Sequence, residues 1–136
     1  MGNRKILLII FLIIIFLCIC TSCSSGDSAY YESFYEDMDI PVRAEEYLHK
    51  AESGDTSAFY YDELITFKED LSLIPEECDD NAIEVNRSFI AAADMLLSTF
   101  RNSRNGNTAD AAECLETAWE CYNNGIMRYN DYVLGN

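Results

Sequence analysis

Beyond its first 40 residues the chain repeats apolar side chains at alternating steps of three and four, the period of one face of an α-helix. Tyr60, Leu64, Phe67, Leu71 and Ile74 form such a seam, which predicts a helix ending near Leu73. The next stretch carries two adjacent seams. Ala82, Val85, Phe89, Ala92 and Leu96 make one; Ile83, Ile90, Ala93, Leu97 and Phe100 make the other, interrupted by Asn86. An apolar face this wide touches two neighbours, so this helix is expected at the centre of the fold. The last seam joins Ala112, Leu115, Trp119, Tyr122, Ile126, Tyr129 and Val133. Beside it runs a row of small residues, Ala111, Cys114, Ala118, Cys121 and Gly125, which would let another helix approach closely.

The punctuation between these seams fits helices. Pro41 suits a first turn, where its missing N–H would have no partner anyway, and Gly54 is a plausible stop, giving a short helix over 41–53. Asp55, Thr56 and Ser57 supply N-cap oxygens for the next. Asn81 followed by Glu84 resembles a capping box, residues 101–107 read as an Asn- and Gly-rich loop, and Thr108 can cap the final helix. No stretch alternates with period two for long enough to make a strand. The expected fold class is all-α: a small antiparallel helical bundle, three long helices plus a short N-terminal helix, over residues 41–136. The stretch from Ala44 to Asp55 faintly resembles tetratricopeptide and Sel1-type repeats. No period of about 34 residues recurs, however, so it reads as ordinary helical-hairpin grammar.

The start of the chain is different in kind. Arg4 and Lys5 precede an unbroken run of Ile, Leu, Phe and Cys over residues 6–20, the charged and apolar regions of an export signal. As a helix this run is roughly 22 Å long, short of the ~30 Å needed to span a bilayer core, which favours cleavage over anchoring. The motif Cys20-Thr21-Ser22-Cys23 resembles the lipobox of bacterial lipoprotein precursors, with Cys20 where a larger aliphatic residue is usual. That resemblance implies a signal peptide over 1–22 and acylation of Cys23 as the mature N-terminus. It also implies residence at the cell membrane, lipid-anchored on the extracytoplasmic face. Two or more acyl chains on one cysteine hold a soluble domain firmly at a bilayer.

Residues 23–40 then read as a tether and an acidic-aromatic segment. Ser24 to Ser28 are short and polar, and Tyr30, Tyr31, Phe34 and Tyr35 follow among Glu32, Glu36, Asp37 and Asp39. Either these aromatics lie against the bundle or they form an exposed strip.

Charge narrows the partners. The chain has nine Lys and Arg against 24 Asp and Glu; removing Arg4 and Lys5 with the leader leaves seven cations against the same 24 acids, a formal charge of −17. Nucleic acid is excluded as a partner, because binding it needs a cationic surface. Basic proteins and peptides are admitted, and an acidic surface that simply maintains solubility is the plainer alternative. Beyond Cys23 three cysteines remain, Cys78, Cys114 and Cys121. Cys114 and Cys121 lie seven apart on one helix, ~10.5 Å along its axis, too far for a disulfide. Small thiols at core positions are expected, with Cys78 able to pair with either.

Catalytic chemistry finds little support. His49 is the only histidine, and no nucleophile-elbow, phosphate-loop or zinc-protease motif accompanies it. Cys78, Cys114, Cys121 and His49 would satisfy a Cys3His inventory but lack close-spaced ligand pairs. Residues 76–80 lack the alternating ligands and glycine of a calcium loop. No metal or cofactor is therefore expected. Asp94 is the only acid in a strongly apolar neighbourhood. Nine tyrosines and seven phenylalanines remain to be explained, and aromatic faces with polar tips suit peptides and sugars. Tyr30, Tyr31, Tyr35, Tyr60 and Tyr61 are the candidate binding surface; Trp119, Tyr122 and Tyr129 fall on a seam and are expected in the core. The leading expectation is a membrane-anchored, non-catalytic binding or adaptor module. The alternatives are an immunity-type protein that neutralises a basic toxin and an extracellular hydrolase.

Overall fold

A computed structural model describes residues 26–135. The leader, the lipobox-like motif and Cys23 lie outside the described residues. Within them the fold is all-helical: α1 (Gly26–Asp37), α2 (Ile40–Glu52), α3 (Ala58–Leu71), α4 (Asp80–Arg104) and α5 (Thr108–Leu134). Helix α4 is the hub. It packs along its whole length against α5 and also against α3 and α2, as its double seam predicts.

The helix ends follow local chemistry. Asp39 turns the chain between α1 and α2 at φ 50°, a left-handed conformation that short polar side chains tolerate, and Pro41 sits in the first turn of α2. Gly54 closes α2 at φ 75°, where a side chain would be strained. The cap of α4 differs from expectation. Asp79 fills it, its carboxylate accepting from the Ala82 N–H at 2.8 Å, while Asn81 already lies inside the helix; the acid two residues earlier reaches the same class of orphan donor. Helix α4 also continues through Arg104, shortening the expected loop to three residues.

Two larger findings concern packing. Of the two alternatives for the acidic-aromatic segment the structure shows the first: 26–37 is a helix whose Tyr31, Phe34 and Tyr35 are buried against the bundle, and it takes in residues 26–28 of the expected polar spacer. Their spacing of three and four puts all three on one face, and that face meets Tyr129 and Tyr132 of α5 and Phe89 of α4. The bundle therefore begins well before residue 41. On α5, the row of small residues lies deeper than much of the large seam. Ala111, Ala118 and Gly125 are buried, whereas Ala112 is exposed and Trp119, Ile126 and Tyr129 are only half-buried. At Gly125 the fit is closest, since a Cβ there would stand 2.8 Å from the Phe89 ring.

One polar side chain ties these pieces together. Asn86, 2% exposed, donates from Nδ2 to the Leu71 carbonyl at 2.6 Å, one of the carbonyls that the end of α3 leaves without a helical partner. Its Oδ1 accepts from the Tyr31 hydroxyl at 3.5 Å. The residue that interrupts the α4 seam thus joins α4, α3 and α1.

Candidate functional site

The topology sets two ends. Helix α1 begins beside the start of α4 and the end of α5, as the Tyr31 contacts with Asn86 and Tyr132 require. The start of α3 lies beside the end of α4: Arg101 reaches the Tyr61 hydroxyl at 3.5 Å and Arg104 donates to the Thr56 carbonyl at 2.9 Å. From Asn86 to Arg101 is about 22 Å along α4.

The five candidate tyrosines divide accordingly. Tyr31 and Tyr35 are core residues, 0% and 6% exposed, and burial pushes both phenols up from the usual tyrosine range, with the neighbouring tyrosines adding to it. Neither belongs to a surface. Tyr35 stacks on Tyr129 with centroids 3.6 Å apart. Tyr30 is on the same helix but half-exposed. Tyr60 and Tyr61 are half-buried at the opposite end, where Phe59, which is 63% exposed, completes an aromatic triplet.

Around that triplet the chain lays its own cations on aromatic faces. Lys50 Nζ stands 4.6 Å from the centre of the Tyr60 ring, and the Arg104 guanidinium 4.9 Å from that of Tyr61. Arg43 lies 4.7 Å over Phe67 and pairs with Asp70 at 2.8 Å. Between α2 and α3 is an open cleft of about 440 Å³ lined by Arg43, Glu46, Tyr47, Phe59, Tyr60, Glu63 and Thr66. Tyr47 on its floor has its phenol pushed up, first by burial, with Arg43 pulling the other way and Glu63 and Glu46 adding to the rise. A second cleft of about 390 Å³ lies near the other end, between Asn81, Glu84, Val85, Arg128, Asp131 and Tyr132. There Arg128 reaches Glu84 at 3.6 Å, and Arg87 pairs with the same carboxylate.

The remaining candidates do not converge. His49 is exposed between Glu52 at 2.9 Å and Glu45 at 3.8 Å, with its ring edge-on to Trp119. Glu52 also accepts from Trp119 Nε1 at 2.9 Å, joining α2 to α5. Asp94 pairs with Lys68 at 2.5 Å; neither it nor His49 lines either cleft. Cys78, Cys114 and Cys121 are free thiols, and burial pushes Cys78 and Cys121 up, away from the reactive thiolate. Among the described residues no three His, Cys, Asp or Glu side chains are grouped to hold a metal ion. None of the described helices is long and apolar enough to cross a membrane.

Among the described residues most acids lie outside ion-pair distance of a Lys or Arg. Among the described side chains, Lys and Arg pair with Asp55, Asp70, Glu84 and Asp94 alone, and Glu45 and Glu52 lie beside His49. No family model matches the chain, and neither the curated proteins nor the solved structures offer a match.

Proposed function

We propose that this chain is a non-catalytic binding module held at the extracytoplasmic face of a bacterial cell membrane by acyl chains on Cys23, and that it captures a basic protein or peptide. The observation that carries the reading is the polarity of the bundle. Helix α1 starts three residues beyond Cys23, a reach of about 10 Å at most, so acylation would keep the α1 end close to the bilayer. The exposed Phe59 stands towards the other end, and the acidic α2–α3 cleft runs out to it from Arg43, whose partner Asp70 adjoins the Leu71 carbonyl held by Asn86, so the bundle itself serves as the spacer for the Phe59 end.

Charge supports the same assignment. A body with seven cations and 24 anions is repelled by anionic lipid and attracts basic partners, and complementary charge speeds encounter more than it adds affinity. The free carboxylates and exposed aromatic ring supply both parts of a site for a cationic peptide.

The test has two arms. Mass spectrometry of the protein extracted from bacterial membranes is expected to find a diacylglyceryl-modified Cys23 at the N-terminus, and Cys23→Ala to abolish both processing and retention. Partners captured on the membrane-extracted protein are expected to be basic and to dissociate as salt rises towards ~1 M, where the Debye length falls to about 3 Å. An unmodified thiol with the leader still attached, or capture indifferent to salt, overturns the corresponding half.

A further inference from the structure

We infer that the α2–α3 cleft is a socket for one lysine or arginine side chain of the partner, with the Phe59 ring as its face and Glu46 and Glu63 as its counter-charges. The inference rests on the basic-partner reading and gives it an address.

The chain's own cations supply the pattern. Lys50, Arg43 and Arg104 each lie 4.6–4.9 Å from a ring centre, and two of the three also meet a carboxylate, Asp70 for Arg43 and Asp55 for Lys50. An aromatic face combined with an acid is thus how this molecule holds a cation where water is partly excluded. Phe59 sets up the same arrangement and leaves the cation out. Its ring packs edge-on against Tyr60, 5.4 Å between centroids, while 63% of the residue stays exposed on the wall of the cleft that Glu46 and Glu63 line.

The charge balance at the cleft favours a visitor of positive sign. Arg43 is its only cationic lining residue, and its guanidinium is engaged by Asp70 at 2.8 Å and by the Phe67 face. Neither Glu46 nor Glu63 has a cation within ion-pair distance among the described residues; the lining and its Asp70 partner together carry a net charge of two negatives, which Lys50, at the Tyr60 edge and paired with Asp55, offsets only in part through its longer-range attraction to Glu46. The volume of about 440 Å³ takes one long side chain, and the open mouth leaves the peptide backbone outside. Sequence recognition would therefore be shallow, reading a cationic residue rather than an extended motif.

The probes are fluorescein-labelled octalysine, octaarginine and fully acetylated octalysine, titrated against the membrane-extracted full chain by fluorescence anisotropy. Wild-type protein is expected to bind the two cationic peptides and ignore the acetylated one. The double substitution E46Q/E63Q should weaken binding about ten-fold or more. The control E76Q/E77Q removes the same charge from the α3–α4 loop and should weaken it distinctly less. Phe59→Leu keeps the apolar bulk but removes the ring, and should cost about two- to five-fold, the size of an exposed cation–π contact. All five positions reach the surface, Glu63 being half-buried, and unchanged helical circular dichroism verifies that each variant is folded. Equal losses in the two glutamine doubles, with Phe59→Leu silent, overturn the socket and leave net-charge capture standing. Failure of octalysine to bind the wild-type protein overturns the basic-partner reading itself.

Discussion

At the α1 end, Tyr31 and Tyr35 are buried beneath the half-buried Tyr129 and Tyr132, whereas at the far end Phe59 is exposed and Tyr60 and Tyr61 are half-buried with the chain's own cations over them. The residue types are nearly the same. What differs is spacing. Tyr31, Phe34 and Tyr35 share one helical face, so a single interface covers all three. Phe59, Tyr60 and Tyr61 are consecutive and sweep about 200° around α3, so no one neighbour can cover them and Phe59 is left outside. An aromatic-rich stretch becomes core or surface according to whether its residues share a face.

The largest effect that could break this contrast is truncation. Tyr35→Ala is expected to cost about 3–5 kcal/mol, the range for losing a large buried ring, because Tyr35 is 6% exposed and touches Phe89 and Tyr129. Phe59→Ala is expected to stay within about 0.5 kcal/mol. Urea unfolding followed by circular dichroism measures both. Comparable losses at the two sites would mean that α1 is not part of the core.

Next in size is the Asn86 junction. Asn86→Ala should cost about 2–3 kcal/mol, since it leaves the Leu71 carbonyl and the Tyr31 hydroxyl buried without that partner. Tyr31→Phe removes only the longer of the two bonds, 3.5 Å against 2.6 Å, and should cost less than half as much in the same urea experiment. The reverse order would move the junction from the α4–α3 contact to the α1 contact.

How much of this was legible beforehand follows from the same physics. Helices α3, α4 and α5 could be read because each carries a seam several turns long, and the central position of α4 followed from its two seams. Helix α1 could be read only as one of two alternatives, since its covering surfaces on Phe89, Tyr129 and Tyr132 lie more than 50 residues away in the chain. Asn86 was visible as an interruption, but its acceptor is a helix-end carbonyl whose place depends on where α3 stops. Phe59 did leave a signal: it is a large apolar residue just off the Tyr60–Leu64 seam, and such a residue at a helix start has nothing to pack on. The ion pairs Arg43–Asp70 and Lys68–Asp94 join positions 27 and 26 residues apart, and only the fold selects those partners from 24 acids.

The smallest expected effect is also the most specific to the buried end. Burial pushes up the phenols of Tyr31, Tyr35, Tyr122 and Tyr129 and the thiols of Cys78 and Cys121, so in each case the native state holds a proton that the unfolded chain releases earlier. Stability must then fall as pH rises. The full contribution is present below the unfolded values and begins to be lost near pH 9.0 for the thiols and 10.0 for the tyrosines. Each group adds at most about 1.4 kcal/mol per pH unit to the slope. Tyr35→Phe keeps the stacking on Tyr129 and removes one titrating hydroxyl, so its unfolding free energy should fall less steeply than wild type between pH 10 and 11. Thermal or urea unfolding at half-unit pH steps, with disulfide formation prevented by reductant, reads the difference. Parallel slopes for wild type and Tyr35→Phe would mean that the Tyr35 hydroxyl meets water in the native state, and the division between a dry tyrosine end and a wet aromatic end would not hold.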